Sequence, residues 1–239
     1  MKRILLMVIK LLGHVPVWFW RICSFAKDTE EQRYSIEENY IREIAIKANK
    51  AGRVTIVSSG EENLPEEDGY ILYPNHQGMF DVLAFLETMK RPFSLVFKQE
   101  VKDIILLKQI REALHYIPMD RSDLKQSMKV ILEAAKRVKA GENFLIFAEG
   151  TRSRNGNEIL PFKAGAFKAA TKAKAPIVPV ALLDSYAPFD TNSTAPAEVQ
   201  IHYLKPMYYE EYVDMKTTEI ALEVEKRIRE EIYKHMKAE

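Results

Sequence analysis

The stretch "YILYPNHQGMFD", residues 70–81, decides how the rest of the chain is read. Tyr70-Ile71-Leu72-Tyr73 is an apolar run of strand length, Pro74 and Gly78 are turn residues, and a helical pattern follows from Met79. A strand that empties through a short loop into a helix is the repeating step of an α/β sheet. His76 and Asp81 flank that loop. Five residues of helix turn through about 500°, leaving two such side chains roughly 140° apart, so one helix face cannot hold both. They meet if His76 is in the loop and Asp81 is in the first turns of the helix. The carboxylate then accepts from one ring nitrogen, fixes the tautomer and leaves the other nitrogen free as a base. A lone pair of this kind is structural more often than catalytic, so the assignment needs a second feature.

The alternation continues in both directions. Arg53–Ser58, Tyr70–Pro74, Phe93–Phe97, Tyr116–Met119, Phe144–Ala148, Ile177–Leu182 and Val199–Leu204 read as strands. Met79–Met89, Val101–Leu114, Ser122–Ala140, Gly165–Lys174 and Thr217–Lys237 read as helices. Upstream, Ser35-Ile36-Glu37-Glu38 matches a capping box, with Ile36, Tyr40, Ile44 and Ala48 at four-residue steps before Gly52. The expectation is an α/β domain over residues 28–239, a single mixed sheet flanked by helices. The acidic Ser59–Gly69 segment reads as a solvated connection.

Composition narrows the function. The chain has 239 residues, enough for one such domain. Lys and Arg number 35 against 34 Asp and Glu, so no net field draws it to nucleic acid. A lone cysteine, Cys23, excludes an internal disulfide framework and fits a reducing compartment. There is no zinc-type Cys/His spacing and neither a GxxxxGK[ST] nor a GxGxxG loop.

Residues 1–27 stand apart, with Lys2, Arg3, Lys10, Arg21 and Lys27 and no acid. A secretory signal would need a small-x-small cleavage site, which is missing. A spanning helix needs about 20 uninterrupted apolar residues, and Lys10, Gly13, His14 and Pro16 interrupt this one. On a helix Arg3, Lys10, His14 and Arg21 fall within roughly 20° of one line, with Pro16 kinking it near Leu12–Val15. A cationic stripe, a broad apolar face and two tryptophans predict one helix, or two short ones, lying in a single leaflet.

The second feature is "IFAEGTRSRNG", residues 146–156, where another apolar run opens into a polar loop carrying Glu149, Gly150, Thr151, Arg152 and Arg154. Glycine lets backbone approach a ligand, and an arginine fork suits phosphate oxygens. "PFKAGAF", residues 161–167, adds Lys163 before a helix start. Strand ends gathered at one sheet edge form the usual ligand crevice.

"NHQGMFD" resembles the HxxxxD motif of glycerolipid acyltransferases, and "FAEGTRS" resembles their EGTR motif. "YIPMDR", ending in Arg121, and "APIVPVAL", with Pro179, resemble the blocks between and after these two. The four run in order from Ile71 to about Leu183, and the subgroup they resemble most is the 1-acyl-sn-glycerol-3-phosphate (lysophosphatidic acid) acyltransferases. The resemblance implies transfer of a fatty acyl group from a thioester, acyl-CoA or acyl-carrier protein, to a free glycerol hydroxyl, without cofactor or metal. It implies His76 as general base and Asp81 as its orienting partner. It further implies that Arg121, Glu149, Gly150, Thr151 and Arg152 serve the phosphate-bearing acceptor, lysophosphatidic acid. Lys98, a cation leaving the Phe93–Phe97 strand, is added to that set on its position alone.

The chain departs from the family pattern at Gly78, often Ser there, and at His115, often Gly. With Gly78 no hydroxyl in the motif can act as nucleophile, so direct attack by the acceptor in a ternary complex is expected rather than an acyl-enzyme. Loop N–H groups near Gly78 are the candidates for the oxyanion. Membrane association at the cytoplasmic face of one leaflet is the expected setting. The alternatives are the same chemistry on glycerol 3-phosphate or another lysophospholipid, a non-catalytic lipid-binding scaffold, or, ranked below these, a metal hydrolase using His76, Asp81, His115 and Glu149.

Overall fold

The computed structural model describes residues 2–26, 34–103 and 105–237. In chain order it holds α1 (Lys2–Leu11), α2 (Val15–Phe25), α3 (Tyr34–Ala51), β1 (Val54–Ser59), β2 (Ile71–Pro74), α4 (Asp81–Thr88) and β3 (Phe93–Lys98). Then come α5 (Leu107–Ala113), β4 (Ile117–Met119), α6 (Leu124–Lys139), β5 (Asn143–Leu145), α7 (Lys168–Ala173) and β6 (Ile177–Leu183). The chain ends with α8 (Ala187–Asp190), β7 (Ala197–Tyr203), α9 (Tyr209–Tyr212) and α10 (Thr217–Met236).

The seven strands form one mixed sheet in the order β1-β7-β6-β2-β5-β3-β4. Five of them, β6, β2, β5, β3 and β4, run parallel, while β7 is antiparallel to β6 and β1 follows β7. The central strands β2 and β6 are buried on both faces, which their unbroken apolar sequences require. One face packs Ile71, Tyr73 and Ala181 against α6, α7 and α10; the other packs Leu72, Val180 and Leu182 against α3 and α4. Because the five parallel strands share a direction, the segments leaving β2, β3, β4, β5 and β6 emerge at one edge.

Several expected boundaries move. The helix anticipated over Val101–Leu114 shrinks to α5, preceded by a 3-10 turn at Gln99–Val101, because Leu106 adopts φ 73° and interrupts it. The helix anticipated from Gly165 begins as a 3-10 turn at Ala164–Phe167 before α7. In α3 the deeply buried line is Ile41, Ala45 and Asn49, one residue over from the anticipated stripe, of which Ile36 is exposed while Ile44 and Ala48 pack at the core margin. That helix starts at Tyr34, so Ser35 lies within it, and the Ser35 side chain and the 27/28 boundary lie outside the described residues.

The N-terminal segment breaks as Pro16 predicts, into α1 and α2 bent by 96°. Among the described residues no single helix is long and apolar enough to cross a membrane. Its cationic stripe departs from the expected one at Arg3. Arg3, expected on an outward cationic stripe, is 2% exposed and donates to the carbonyls of Gly52 and Pro188 (2.9 Å to the latter) and of Ala195 (2.7 Å). Lys10 Nζ donates to Ala51 O at 3.0 Å, and the Arg21 guanidinium sits over the Phe25 and Tyr40 rings. The carbonyls at the C-terminal end of α3 lack helical partners and attract cations, which draws in Arg3 and the Lys10 ammonium, while Lys10, His14 and Arg21 stay exposed. Leu5, Ile9, Leu12, Val17 and Trp20 are left exposed.

Candidate active site

His76 lies in the loop after β2, and Asp81 is the first residue of α4, as five-residue spacing across a loop–helix junction demands. His76 Nδ1 stands 2.7 Å from Asp81 Oδ2. The buried Asp81 carboxylate also accepts the N–H groups of Gln77 (2.8 Å) and Gly78 (3.0 Å) and the Ser185 hydroxyl (2.6 Å). Four donors on two oxygens hold the carboxylate rigidly. With Nδ1 donating to this acceptor, Nε2 carries the free lone pair.

The same bonds narrow one expectation. The N–H groups of Gln77 and Gly78 are taken by Asp81, and that of His76 donates to Glu149 Oε1 at 2.6 Å, so this loop does not offer them to an oxyanion. Gly78 sits in a tight place: a Cβ there would meet Asp190 Oδ2 at 3.0 Å and Tyr186 Cα at 3.1 Å, so a larger residue requires these neighbours to give by a few tenths of an ångström. At the other departure, His115 takes φ 52°, the left-handed conformation that glycine adopts freely.

Glu149 braces the site. It is 2% exposed, and its second oxygen accepts the Leu160 N–H at 3.0 Å. Burial pushes its carboxyl up to about 7, against the opposing pull of the two N–H donors. Ser153 N–H closes the junction on His76 O at 2.9 Å; the Ser153 hydroxyl is buried and no hydrogen bond joins it to the imidazole.

Beside the dyad opens a cavity of about 350 Å³, walled by Val96, Met128, Ile131, Ile146, Phe147 and Ala166. Arg121, Lys163 and Lys168 supply cations to the same wall. Phe147 joins the two features, because it also stacks on the His76 ring at 3.9 Å between centroids. Arg121 Nη1 donates to Gly150 O, and burial lowers the guanidinium from its ordinary value. Gly150 has φ 71°, which favours glycine, and its Cα faces the end of the Lys163 side chain, with a Cβ there 2.9 Å from Nζ.

The sequence-derived residues thus divide. His76 is hydrogen-bonded to both Asp81 and Glu149, through its ring and its backbone N–H, and Arg121 and Gly150 join at the cavity. Thr151 is exposed, and Arg152 Nη1 has a long 3.9 Å pairing to Asp190 Oδ1. Lys98 does not line the cavity; its ammonium pairs with Glu100 Oε1 at 2.9 Å. Sequence reasoning missed Ser185, Asn75 and Gln77. Asn75 exchanges two hydrogen bonds with the Leu182 backbone (3.0 and 2.7 Å), and Gln77 bonds Leu182 O and Ser185 N–H (2.9 and 2.7 Å), which ties the His76 loop to β6. The available signal was polar residues on both sides of His76 in a segment leaving a fully apolar strand.

The chain is 29% identical over 153 residues to a chloroplastic 1-acyl-sn-glycerol-3-phosphate acyltransferase of Brassica napus, covering 62% of this chain and 44% of the relative. It is 30% identical over 132 residues to 1-acyl-sn-glycerol-3-phosphate acyltransferase of Borreliella burgdorferi, covering 55% and 52%. Against the alpha form from Mus musculus it is 28% identical over 152 residues, covering 62% and 53%. The chain therefore spans about half the length of the curated relatives it matches. Its fold is that of the crystal structure of the 1-acyl-sn-glycerophosphate (LPA) acyltransferase PlsC from Thermotoga maritima, with TM-score 0.79, 21% identity and coverage of 100% of this chain and 98% of that one. Residues 55–183 match the family described as Acyltransferase. That match takes in more than half of the chain, including both the His76 loop and the Glu149–Arg152 loop, and the protein belongs to the acyltransferase family.

Proposed function

We propose that the chain transfers a fatty acyl group from a thioester, acyl-CoA or acyl-carrier protein, to the free hydroxyl of 1-acyl-sn-glycerol 3-phosphate, giving phosphatidic acid. The observation that carries the reading is the His76 imidazole, oriented by Asp81 at 2.7 Å and stacked on a ring that walls the apolar cavity. The curated relatives bear the name of this activity.

His76 Nε2 takes the proton from the acceptor hydroxyl as that oxygen attacks the thioester carbonyl. The tetrahedral intermediate expels the thiolate, which recovers the proton from His76, and the ester is left. A positioned base contributes about 10²–10⁴ in rate, and holding both substrates together contributes several kcal/mol more. The acyl chain lies along the apolar cavity walls. Arg152, whose Asp190 partner is distant, receives the acceptor phosphate, and Arg121 and Lys163 add positive potential at Gly150. Glu149 is assigned to bracing the His76 loop, because both of its oxygens are taken by backbone N–H groups.

The outward apolar residues of α1 and α2 rest in the headgroup region of one leaflet, with Trp20 at its boundary. Lipid substrate then reaches the cavity without crossing water, which would cost about 0.8 kcal/mol per CH₂ exposed.

Thiol release should be measured with acyl-CoA and with acyl-carrier protein donors, each against lysophosphatidic acid, glycerol 3-phosphate and a lysophospholipid. Turnover greatest with lysophosphatidic acid supports the assignment. Preference for glycerol 3-phosphate moves the acceptor, and binding without thiol release from any pair would make the protein a scaffold.

A further inference from the structure

We infer that His202, Glu231 and His235 bind a divalent transition metal of the zinc class, which fastens the last turns of α10 to the sheet. One ligand atom from each of the three lies within 4.8 Å of the others. Two ligand atoms on one tetrahedral zinc, at about 2.0–2.1 Å each, stand about 3.3 Å apart, so each side chain has roughly 1 Å to travel.

The surroundings are prepared for an imidazole ligand. His202, on β7, is buried, and its Nδ1 is 2.7 Å from Ser59 Oγ on β1. A hydrogen bond at one ring nitrogen is how a metal-binding histidine is usually oriented, and it leaves Nε2 for the ion. Gln200 Oε1 stands 3.2 Å from that Nε2 and offers a fourth donor. Glu231 and His235 are four residues apart on one face of α10, with Oε1 and Nε2 at 2.9 Å. Two imidazoles with a carboxylate and an amide oxygen favour zinc, nickel, copper or cobalt over magnesium or calcium. No spacing rule finds this set, because the strand and the helix contribute separately.

The two imidazoles are stacked, 3.9 Å between centroids and 14° between planes. Coordination requires the His235 ring to turn out of the stack until both lone pairs converge. His235 is on the last turn of α10 and partly exposed, so it is the ring with room to turn.

The role is structural. β7 lies two strands from β2, the strand that leads to His76. The middle of α10 holds the segment before Lys163: Glu225 Oε2 accepts the Phe162 N–H at 2.9 Å, and Arg229 Nη2 donates to Ile159 O at 2.7 Å. An ion at the end of α10 secures the helix that makes these contacts.

The test uses the untagged full chain, stripped with chelator and titrated with Zn²⁺ by calorimetry and with Co²⁺ by visible absorption. The expected results are one saturable site, a tetrahedral cobalt spectrum, and a melting temperature raised several degrees by Zn²⁺ but not by Mg²⁺. His202 is buried, so the discriminating variants are at the outer ligands. His235→Ala should weaken Zn²⁺ by about 100-fold or more, and Ser59→Ala, which frees the His202 ring, by about 10-fold. Absence of saturable Zn²⁺ binding in the wild-type chain, or binding unchanged in a folded His235→Ala variant, would overturn the site.

Discussion

Phe147 lies against the His76 imidazole, ring centroids 3.9 Å apart and planes inclined at 24°, and the same phenyl ring walls the cavity beside the dyad. A substrate in that cavity therefore touches the ring that fixes the plane of the base. Phe147→Ala should lower kcat by about 10², the usual result of a misplaced reacting group. An unchanged kcat, measured with saturating donor on a variant that still melts cooperatively, would separate the cavity from the chemistry.

The guanidinium of Arg152 makes a long 3.9 Å pairing with Asp190 Oδ1. Arg152→Ala should lose about 1.5–3 kcal/mol of charge-assisted bonding to phosphate, raising the acceptor KM by roughly 10–150-fold. Lysine should restore part of this, since it keeps the charge but loses the fork. If the donor KM rises instead, the loop serves the other substrate.

Glu38 gives a pH dependence unrelated to catalysis. One of its oxygens accepts the Phe93 N–H at 2.9 Å, the other is buried without a partner, and burial pushes the carboxyl up to about 8. The folded chain keeps this proton up to about pH 8, whereas an ordinary glutamate loses it near 4.5. Glu38 therefore stabilises most at low pH, and its contribution is lost as pH rises from about 4.5 to 8. Glu38→Gln should flatten the melting temperature across that window and raise it at pH 8–9. A wild-type curve rising through the window, with no difference from the variant, would contradict the assignment.

The exposed residues of α1 and α2 give a paired prediction. Replacing Leu5, Ile9 and Trp20 with glutamate should reduce binding to anionic vesicles at least ~10-fold by losing buried apolar area, with the melting temperature unchanged. Arg3→Ala should do the reverse, costing about 2–4 kcal/mol of stability through unsatisfied carbonyls. Vesicle co-sedimentation and thermal melting distinguish them. Binding lost in the Arg3 variant alone would return the cationic face to the membrane.

Strand existence and the mixed sheet were legible because each apolar run is bounded by turn residues, and His76–Asp81 was legible because helical pitch permits few ways for the two to meet. What the sequence hid were tertiary effects. The destination of Arg3 depends on three carbonyl groups from Gly52, Pro188 and Ala195, which no local pattern couples. Leu106 gives no sign in its side chain of the positive φ that shortens α5. Ser185 meets Asp81 only because β6 lies beside β2, a pairing across more than a hundred residues. The loop amides were offered to an oxyanion on the assumption that they were free, and the carboxylates of Asp81 and Glu149 occupy them.

The central claim is that His76 Nε2 is the base for acyl transfer, and the direct measurement is single-turnover thiol release by His76→Ala with acyl-CoA and lysophosphatidic acid. The variant should fold and bind both substrates yet lose about 10³-fold or more in rate, with Asp81→Asn intermediate between it and the wild type. A folded His76→Ala protein that releases thiol at near the wild-type rate would contradict it.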